Sequence, residues 1–225
     1  MKLSIVIPVF NEIKTIKKIL EEVQATPFEK EIIVVDDCSV DGTRDFLRQV
    51  NDPVIRVIYN QRNRGKGFCL QQGFKVVIGD IVIIQDADLE YYPDEYHLLI
   101  RKILEGKADV VYGTRFFGEH RVFFFYHYMG NKLLNFIANI LYDTMLSDLM
   151  TGSKAFRREV IQELTLRAPG FGVEAEITAQ IFRKKFKVYE VPISYNGRGY
   201  EEGKKITWVD FFRSVYWLVK CRFMR

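Results

Sequence analysis

Five short apolar runs, each ending in a polar cluster and separated from the next by a helix-like segment, most constrain how this chain folds. Leu3–Phe10, Ile32–Val35, Val54–Tyr59, Ile81–Ile84 and Asp109–Tyr112 are continuous rather than alternating in apolar character. Between the first two, Ile13, Ile16, Ile19, Leu20 and Val23 recur at helical spacing. Further helices are predicted through Phe46 and Leu47, over Gly67–Val77, and from Pro93 to Leu104. Ser39 and Asp41 offer N-caps, and Pro93 suits a first helical turn. Strands apolar on both sides are covered on both faces, so residues 1–113 predict an α/β fold with a parallel sheet between helices. Such sheets bind ligands beyond the C-terminal ends of their strands. The polar clusters fall there: Asn11-Glu12, Asp36-Asp37, Asn60–Lys66, Asp86–Glu90 and Thr114-Arg115.

The remainder is less regular. Val122–Leu146 reads as a helix rich in aromatics, Thr151–Phe156 as a strand, Glu174–Lys184 as a helix, Val188–Ile193 as a strand and Thr207–Phe223 as a last helix. No repeat, low-complexity tract or linker interrupts this order, which predicts one domain with a C-terminal elaboration. With 225 residues, 48% hydrophobic content and a net charge of +4, the chain can bury one sizeable core, and disorder is excluded. Cys38, Cys69 and Cys221 form no CxxC pair, which argues against a disulfide scaffold or zinc finger and for the reducing cytoplasm. Every apolar stretch is far short of the roughly 18 residues of a membrane span. Met1–Ser4 opens directly into a strand, so no signal peptide is expected.

Charge is distributed unevenly. Residues 1–100 hold 12 Lys and Arg against 16 Asp and Glu, a net of −4, whereas residues 183–225 hold 11 against 4, a net of +7. This is either a drift of solvated surface charge or a tail that meets something anionic. The tail Thr207–Arg225 sets Trp208, Phe211, Phe212, Val215, Leu218 and Val219 at helical spacing among Arg213, Lys220, Arg222 and Arg225. A membrane-surface or partner-binding helix and a docked core helix both fit. The aromatic segment Arg121–Tyr142 leaves the same choice, and His127 within it says little by itself. No RNP or helix-turn-helix pattern occurs, so no nucleic-acid partner is expected.

Asp86-Ala87-Asp88 is the most informative tripeptide. Alternate side chains in an extended turn point the same way, so both acids can face one site. Mg²⁺ takes one or two carboxylates plus substrate phosphates, and Glu90 lies close enough to join. A solvated acid pair is the plainer reading. Asp36-Asp37 could accept hydrogen bonds from a base or ribose, or could form an Asx turn that caps the next helix. Asn60–Gly67 could hold an anion with backbone N–H groups at a helix start. It is not GxxxxGK[ST], and no GxGxxG occurs, which removes the P-loop and dehydrogenase readings.

Taken together, SIVIPVFNE (Ser4–Glu12), IVVDDCSVDGT (Ile33–Thr43), NRGKG (Asn63–Gly67), QDADL (Gln85–Leu89), GTRF (Gly113–Phe116) and SDLMTGSKAF (Ser147–Phe156) resemble the family-2 glycosyltransferases of GT-A fold. Within that family they are most similar to the dolichol-phosphate (polyprenyl-phosphate) mannose synthases. The resemblance implies a mostly parallel Rossmann-like sheet flanked by helices over residues 1–206, with 207–225 as an amphipathic basic-aromatic helix. It implies a nucleotide-sugar donor, with Pro8, Asn11, Glu12, Asp36 and Asp37 around the nucleoside and Lys66 nearby. Asp86 and Asp88 would hold Mg²⁺ or Mn²⁺ on the donor diphosphate, and Glu90, where the mannose synthases usually have Gln, could add a ligand. Arg115 matches an Arg near the acceptor phosphate or donor sugar, and Asp148 an Asp lining the sugar pocket. Arg198 and Lys204 fall in a basic loop and would meet the acceptor phosphate. That loop departs from the mannose synthase pattern, which points to a sister group with another sugar.

The activity so implied is metal-dependent, inverting transfer of a mannose- or glucose-type sugar from a GDP- or UDP-sugar to a polyprenyl phosphate, at the cytoplasmic membrane face, alone or through a membrane-anchored partner. A glycan hydroxyl acceptor would instead need a base, with Asp148 or Glu174 as first suspects. First-turn helix acids are the plainer reading of Glu174 and Glu176. A non-catalytic membrane-docking subunit is the third alternative.

Overall fold

Each apolar strand of this chain lies between two hydrophobic layers, which accounts for its lack of alternation. The computed structural model describes residues 1–122, 124–199, 201 and 208–223. Seven strands form one sheet among them: β1 (Leu3–Val9), β2 (Lys30–Asp36), β3 (Ile55–Tyr59), β4 (Ile81–Ile84), β5 (Val110–Thr114), β6 (Lys154–Arg157) and β7 (Val188–Pro192). The helices are α1 (Ile16–Ala25), α2 (Thr43–Gln49), α3 (Lys66–Phe74), α4 (Tyr96–Leu104), α5 (Phe125–Tyr142), α6 (Arg158–Glu163), α7 (Gly172–Arg183) and α8 (Trp208–Phe223). A 3-10 turn at Pro93–Glu95 leads into α4, with Pro93 at its start as expected.

Strand order is β3-β2-β1-β4-β6-β5-β7. β1 pairs in parallel with β2 and β4, β2 with β3, and β5 with β7. Along β1, Leu3, Ile5 and Ile7 enter one core with Ile16, Ile19 and Leu99. Val6, between them, enters the other core with Cys69, Leu70 and Ile177. The expected α/β architecture, a sheet with helices on both faces, therefore holds.

β6 departs from a parallel sheet, because it runs antiparallel between β4 and β5. The reason is connectivity. β5 ends at Thr114 on the ligand-binding edge, the chain crosses through α5, and it re-enters the sheet at Lys154 from that same edge. A strand that starts there must run the other way. The short α6 was not expected, since six residues are too few to show a helical period.

The order of connection reverses between β1 and β4, which opens a crevice at their C-terminal ends. The inverted β6 adds the segment from Asp148 to Ser153 to that edge. Two helices border the crevice outside the sheet. α8 packs on α7 and α5 with Asp210, Ser214 and Leu218 buried, and the Tyr142 hydroxyl donates to the Leu218 carbonyl at 2.7 Å. Its other face exposes Trp208, Phe212, Tyr216 and Phe223. α5 likewise buries Leu134, Asn135 and Ala138 and exposes Tyr126, Leu133, Phe136 and Ile140. The docked-helix reading therefore holds for the inner face of each, while the outer face leaves aromatic side chains exposed. Among the described residues, no helix is long and apolar enough to cross a membrane.

Candidate active site

The crevice holds a cavity of 390 Å³ whose walls include Pro8 and Glu12 from the end of β1, Asp37 from the end of β2, and Asp86, Asp88 and Glu90 from the end of β4. The two acids of Asp86-Ala87-Asp88 do face one space, as the alternation of extended backbone predicts. Each meets a different cation. Asp86 accepts from the Lys66 ammonium at 2.7 Å, and Asp88 from Arg198 at 3.1 Å. Glu12 grips the same guanidinium with both oxygens, at 3.0 and 3.2 Å. Glu90 accepts from the Arg198 backbone N–H and from the Tyr195 hydroxyl, both at 2.8 Å. Arg198, expected at an acceptor phosphate, thus lies among three carboxylates that were themselves expected at the donor. Burial, then the neighbouring Glu90 and Asp86, push the Asp88 carboxyl up to about 7.

The other acids work on the loops. Asp36 is fully buried, paired with Arg44, and accepts the Ser39 N–H at 3.2 Å. Asp36 thus braces the turn after β2, but it does not cap the next helix, since α2 starts from Gly42 without a side-chain cap. Asp37 accepts the backbone N–H groups of Arg64 and Gly65 and the Asn60 side-chain amide. Two N–H groups that the sequence offered to an anion are thereby engaged by protein. Gly65, at φ 84°, packs on the Pro169 carbonyl, and a Cβ there would come within 2.6 Å of it. Asn11, also in the left-handed region at φ 52°, accepts the Val40 N–H and donates its own N–H to Ser39. It braces the turn after β2 and stands behind the cavity wall.

Arg115 and Asp148 form one unit. The Arg115 guanidinium donates to both carboxylate oxygens, at 2.8 and 2.7 Å, and its backbone N–H adds a third bond at 3.0 Å. Burial opposes the charge of Arg115, but Asp148 outweighs it and holds the guanidinium more firmly protonated than usual. Asp148 is fully buried and is itself fixed by Glu190, which accepts its N–H and that of Ser147. Arg115 reaches the cavity wall and lies 5.1 Å from the Tyr195 ring centroid.

Sequence reasoning gave no role to the wall residues Tyr91, Phe171 and Tyr195, or to Lys154 behind the wall. Tyr91 and Tyr195 pack ring to ring, and the Gly152 N–H donates to the Tyr91 hydroxyl. Lys154 is fully buried against Glu174. A lysine set in Ser153-Lys154-Ala155-Phe156, within an apolar strand, was the available signal. Lys204 lies outside the described residues.

Asp86, Asp88 and Glu90 offer only hard oxygen donors and carry up to three negative charges. That chemistry fits a divalent cation taking one or two carboxylates and completing its shell with phosphate oxygens. Among the described residues, no three acidic, His or Cys side chains converge on one metal position.

A second cavity, of 810 Å³, adjoins the first. Arg115, Met150, Tyr195 and Arg198 line both. Its own walls come from α5, α8 and the segment before α5, through Phe124, Leu133, Leu134, Trp208, Phe211 and Phe212.

Comparison with known proteins gives these arrangements a context. A family model described as "Glycosyl transferase family 2" matches residues 4–165. A dolichol-phosphate mannosyltransferase of Pyrococcus furiosus is 29% identical, over 98% of this chain and 64% of its own length. An undecaprenyl-phosphate mannosyltransferase of Micrococcus luteus is 27% identical, over 91% of this chain and 87% of its own length. A low-salt glycan biosynthesis hexosyltransferase of Haloferax volcanii is also 27% identical, over 87% of this chain and 48% of its own length. The chain thus spans about two thirds and half of the first and third of these relatives. Among solved structures, glucosyl-3-phosphoglycerate synthase from Mycobacterium tuberculosis, in complex with Mn²⁺, UDP and phosphoglyceric acid, superposes with a TM-score of 0.78. It is 20% identical, covering 100% of this chain and 79% of that one, a likeness of fold.

Proposed function

As this chain belongs to glycosyl transferase family 2, we propose that it transfers a hexose from a nucleotide-sugar donor to a polyprenyl phosphate, with inversion and with help from a divalent metal. One observation carries the reading: the acid-walled cavity at the strand ends opens across Arg115, Met150, Tyr195 and Arg198 into a larger, mainly apolar groove between α5 and α8. A polar donor and an acceptor with a charged head and hydrocarbon tail would need such adjoining spaces. The similarity to two polyprenyl-phosphate mannosyltransferases supports the same acceptor class.

In this reading Pro8, Glu12 and Asp37 border the nucleoside end, and Asp86 and Asp88, with Glu90 beside them, hold Mg²⁺ or Mn²⁺. When bound, the metal supplies Lewis-acid neutralisation of the leaving diphosphate. Lys66, at the inner wall, adds a cation on the same side. Arg115 and Arg198 stand at the junction, where they offset repulsion between an anionic acceptor and an anionic donor. An acceptor phosphate oxygen attacks the anomeric carbon in line, the bond from that carbon to the diphosphate breaks, and the nucleoside diphosphate departs. A phosphate is already anionic near neutral pH, so no base is needed.

A hydroxyl acceptor, the second reading, is supported by the hexosyltransferase relative. It requires a base, and both candidates are engaged. Asp148 spends both oxygens on Arg115, and Glu174 lies between Lys66 and Lys154. This favours the phosphate acceptor. The outward aromatic faces of α5 and α8, with Lys132, Arg213 and Lys220, suit the interface of an anionic membrane.

The decisive experiment is a panel of GDP- and UDP-sugars with Mn²⁺, with and without polyprenyl phosphate. Sugar transfer only when the lipid phosphate is present is the expected result. Transfer to free glycans alone overturns the acceptor, and no turnover or nucleotide binding with any donor favours a non-catalytic subunit.

A further inference from the structure

Behind the cavity wall, four alternating charges run inward from the donor side. The Lys66 ammonium lies 2.7 Å from Asp86 and 2.9 Å from Oε1 of Glu174. The other Glu174 oxygen accepts from Lys154, which also donates to the Thr151 carbonyl. Lys154 and Glu174 are buried, and the Lys154 ammonium sits 4.9 Å from the Tyr112 ring centroid. Oε1 of Glu174 has no well-aligned hydrogen bond, so its hold on Lys66 is electrostatic rather than geometrically locked. Burial raises the cost of the Glu174 charge, but Lys154 and Lys66 outweigh it and hold the carboxyl below its ordinary range. A buried ionic chain of this kind is a costly way to fill space, since apolar residues of the same volume pack as well or better.

We infer that Glu174 and Lys154 are positioning residues that divide the Lys66 ammonium between Glu174 and Asp86, and so set how much of the Asp86 carboxylate remains for the metal. This rests on the metal-dependent reading above. Lys66 has two competing anions. Weakening the inner one drives it onto Asp86, and strengthening the inner one draws it away. Lys154 controls the inner one, because it competes with Lys66 for Glu174.

The two single variants therefore act in opposite directions. In Glu174→Gln, Lys66 keeps only Asp86, and Mn²⁺ affinity falls about ten- to a hundred-fold, the range for partners outside a metal's direct ligands. In Lys154→Met, Glu174 turns wholly to Lys66, Asp86 is released, and Mn²⁺ affinity rises. The double variant Lys154→Met/Glu174→Gln leaves no unpaired buried charge and behaves like Glu174→Gln, so it reports even where the single variant fails to fold. The measurement is Mn²⁺ binding to the whole chain by electron paramagnetic resonance, with UDP and separately with GDP, beside thermal unfolding. A purely structural role moves both single variants downward together, and that same-sign result, or unchanged affinity, overturns the inference alone. No Mn²⁺ uptake by the unaltered chain overturns the donor reading and this inference with it.

Discussion

The two adjoining cavities are built on opposite physical plans. The acid-walled cavity takes its walls from strand ends, and its charged groups answer one another: Lys66 with Asp86 and Glu174, Arg198 with Glu12, Asp88 and Glu90, Arg115 with Asp148. The groove takes its walls from helices and a crossing segment, and its apolar side chains continue into exposed rows at Trp208, Phe212, Tyr126 and Leu133. In the first, the proposed function and the stability share the same ion pairs. In the second, the surface proposed for the acceptor contributes little to folding, because much of it already faces water. Substitutions should separate the two plans.

The largest effect is expected at Asp88. Asp88→Asn keeps the shape and removes the charge proposed to bind the metal, so transfer falls by at least about 10²–10³-fold with the far-UV circular dichroism unchanged. Retention of full activity would remove the metal role. Next comes Arg115→Met, which strands the buried Asp148 charge. Urea unfolding should register a loss of about 3–5 kcal/mol, most of it recovered in Arg115→Met/Asp148→Leu, where no charge is left alone. A loss below about 1 kcal/mol would mean that the pair is solvated rather than buried.

A smaller effect falls on placement alone. A Cβ at Gly152 would collide with the Asp86 carboxylate and the Tyr91 ring. Gly152→Ala should therefore weaken Mn²⁺ binding about ten-fold, as displaced supporting contacts do, and chelator titration can measure it. In the groove, Phe212→Ser removes an outward aromatic side chain. Stability should stay within about 0.5 kcal/mol, as for surface positions generally. The KM for polyprenyl phosphate should rise about ten-fold, equivalent to about 1.5 kcal/mol of lost apolar contact, with kcat nearly unchanged. A fall in stability that matched the loss of acceptor affinity would erase the distinction between the plans.

Much of the acid-lined crevice is legible in the sequence alone. Continuous apolar strands announced a sheet covered on both faces, and acids at strand ends announced the crevice, because both follow from local composition and period. The direction of β6 was not legible. It depends on which edge the chain returns from, and a four-residue strand carries no mark of direction. Nor could the partners of the acids be read. Glu12 meets Arg198 from 186 positions away, and Arg115 meets Asp148 across 33. Nothing in the spacing distinguishes an acid that faces a ligand from one that holds an arginine.

Local chemistry decided the inventory of this protein: which segments are strands, where hard oxygen ligands collect, and that two helices carry aromatic and basic residues together. Assembly decided the pairings. Asp36 went to the support of a turn, Asp148 to the support of Arg115, and Lys154, an unremarked strand residue, to a buried contact behind Lys66. The reason is the range of the forces. Periodicity and capping act within a few residues, whereas a charge taken out of water must find its counter-charge wherever the sheet brings one near, and only the folded chain specifies that neighbour.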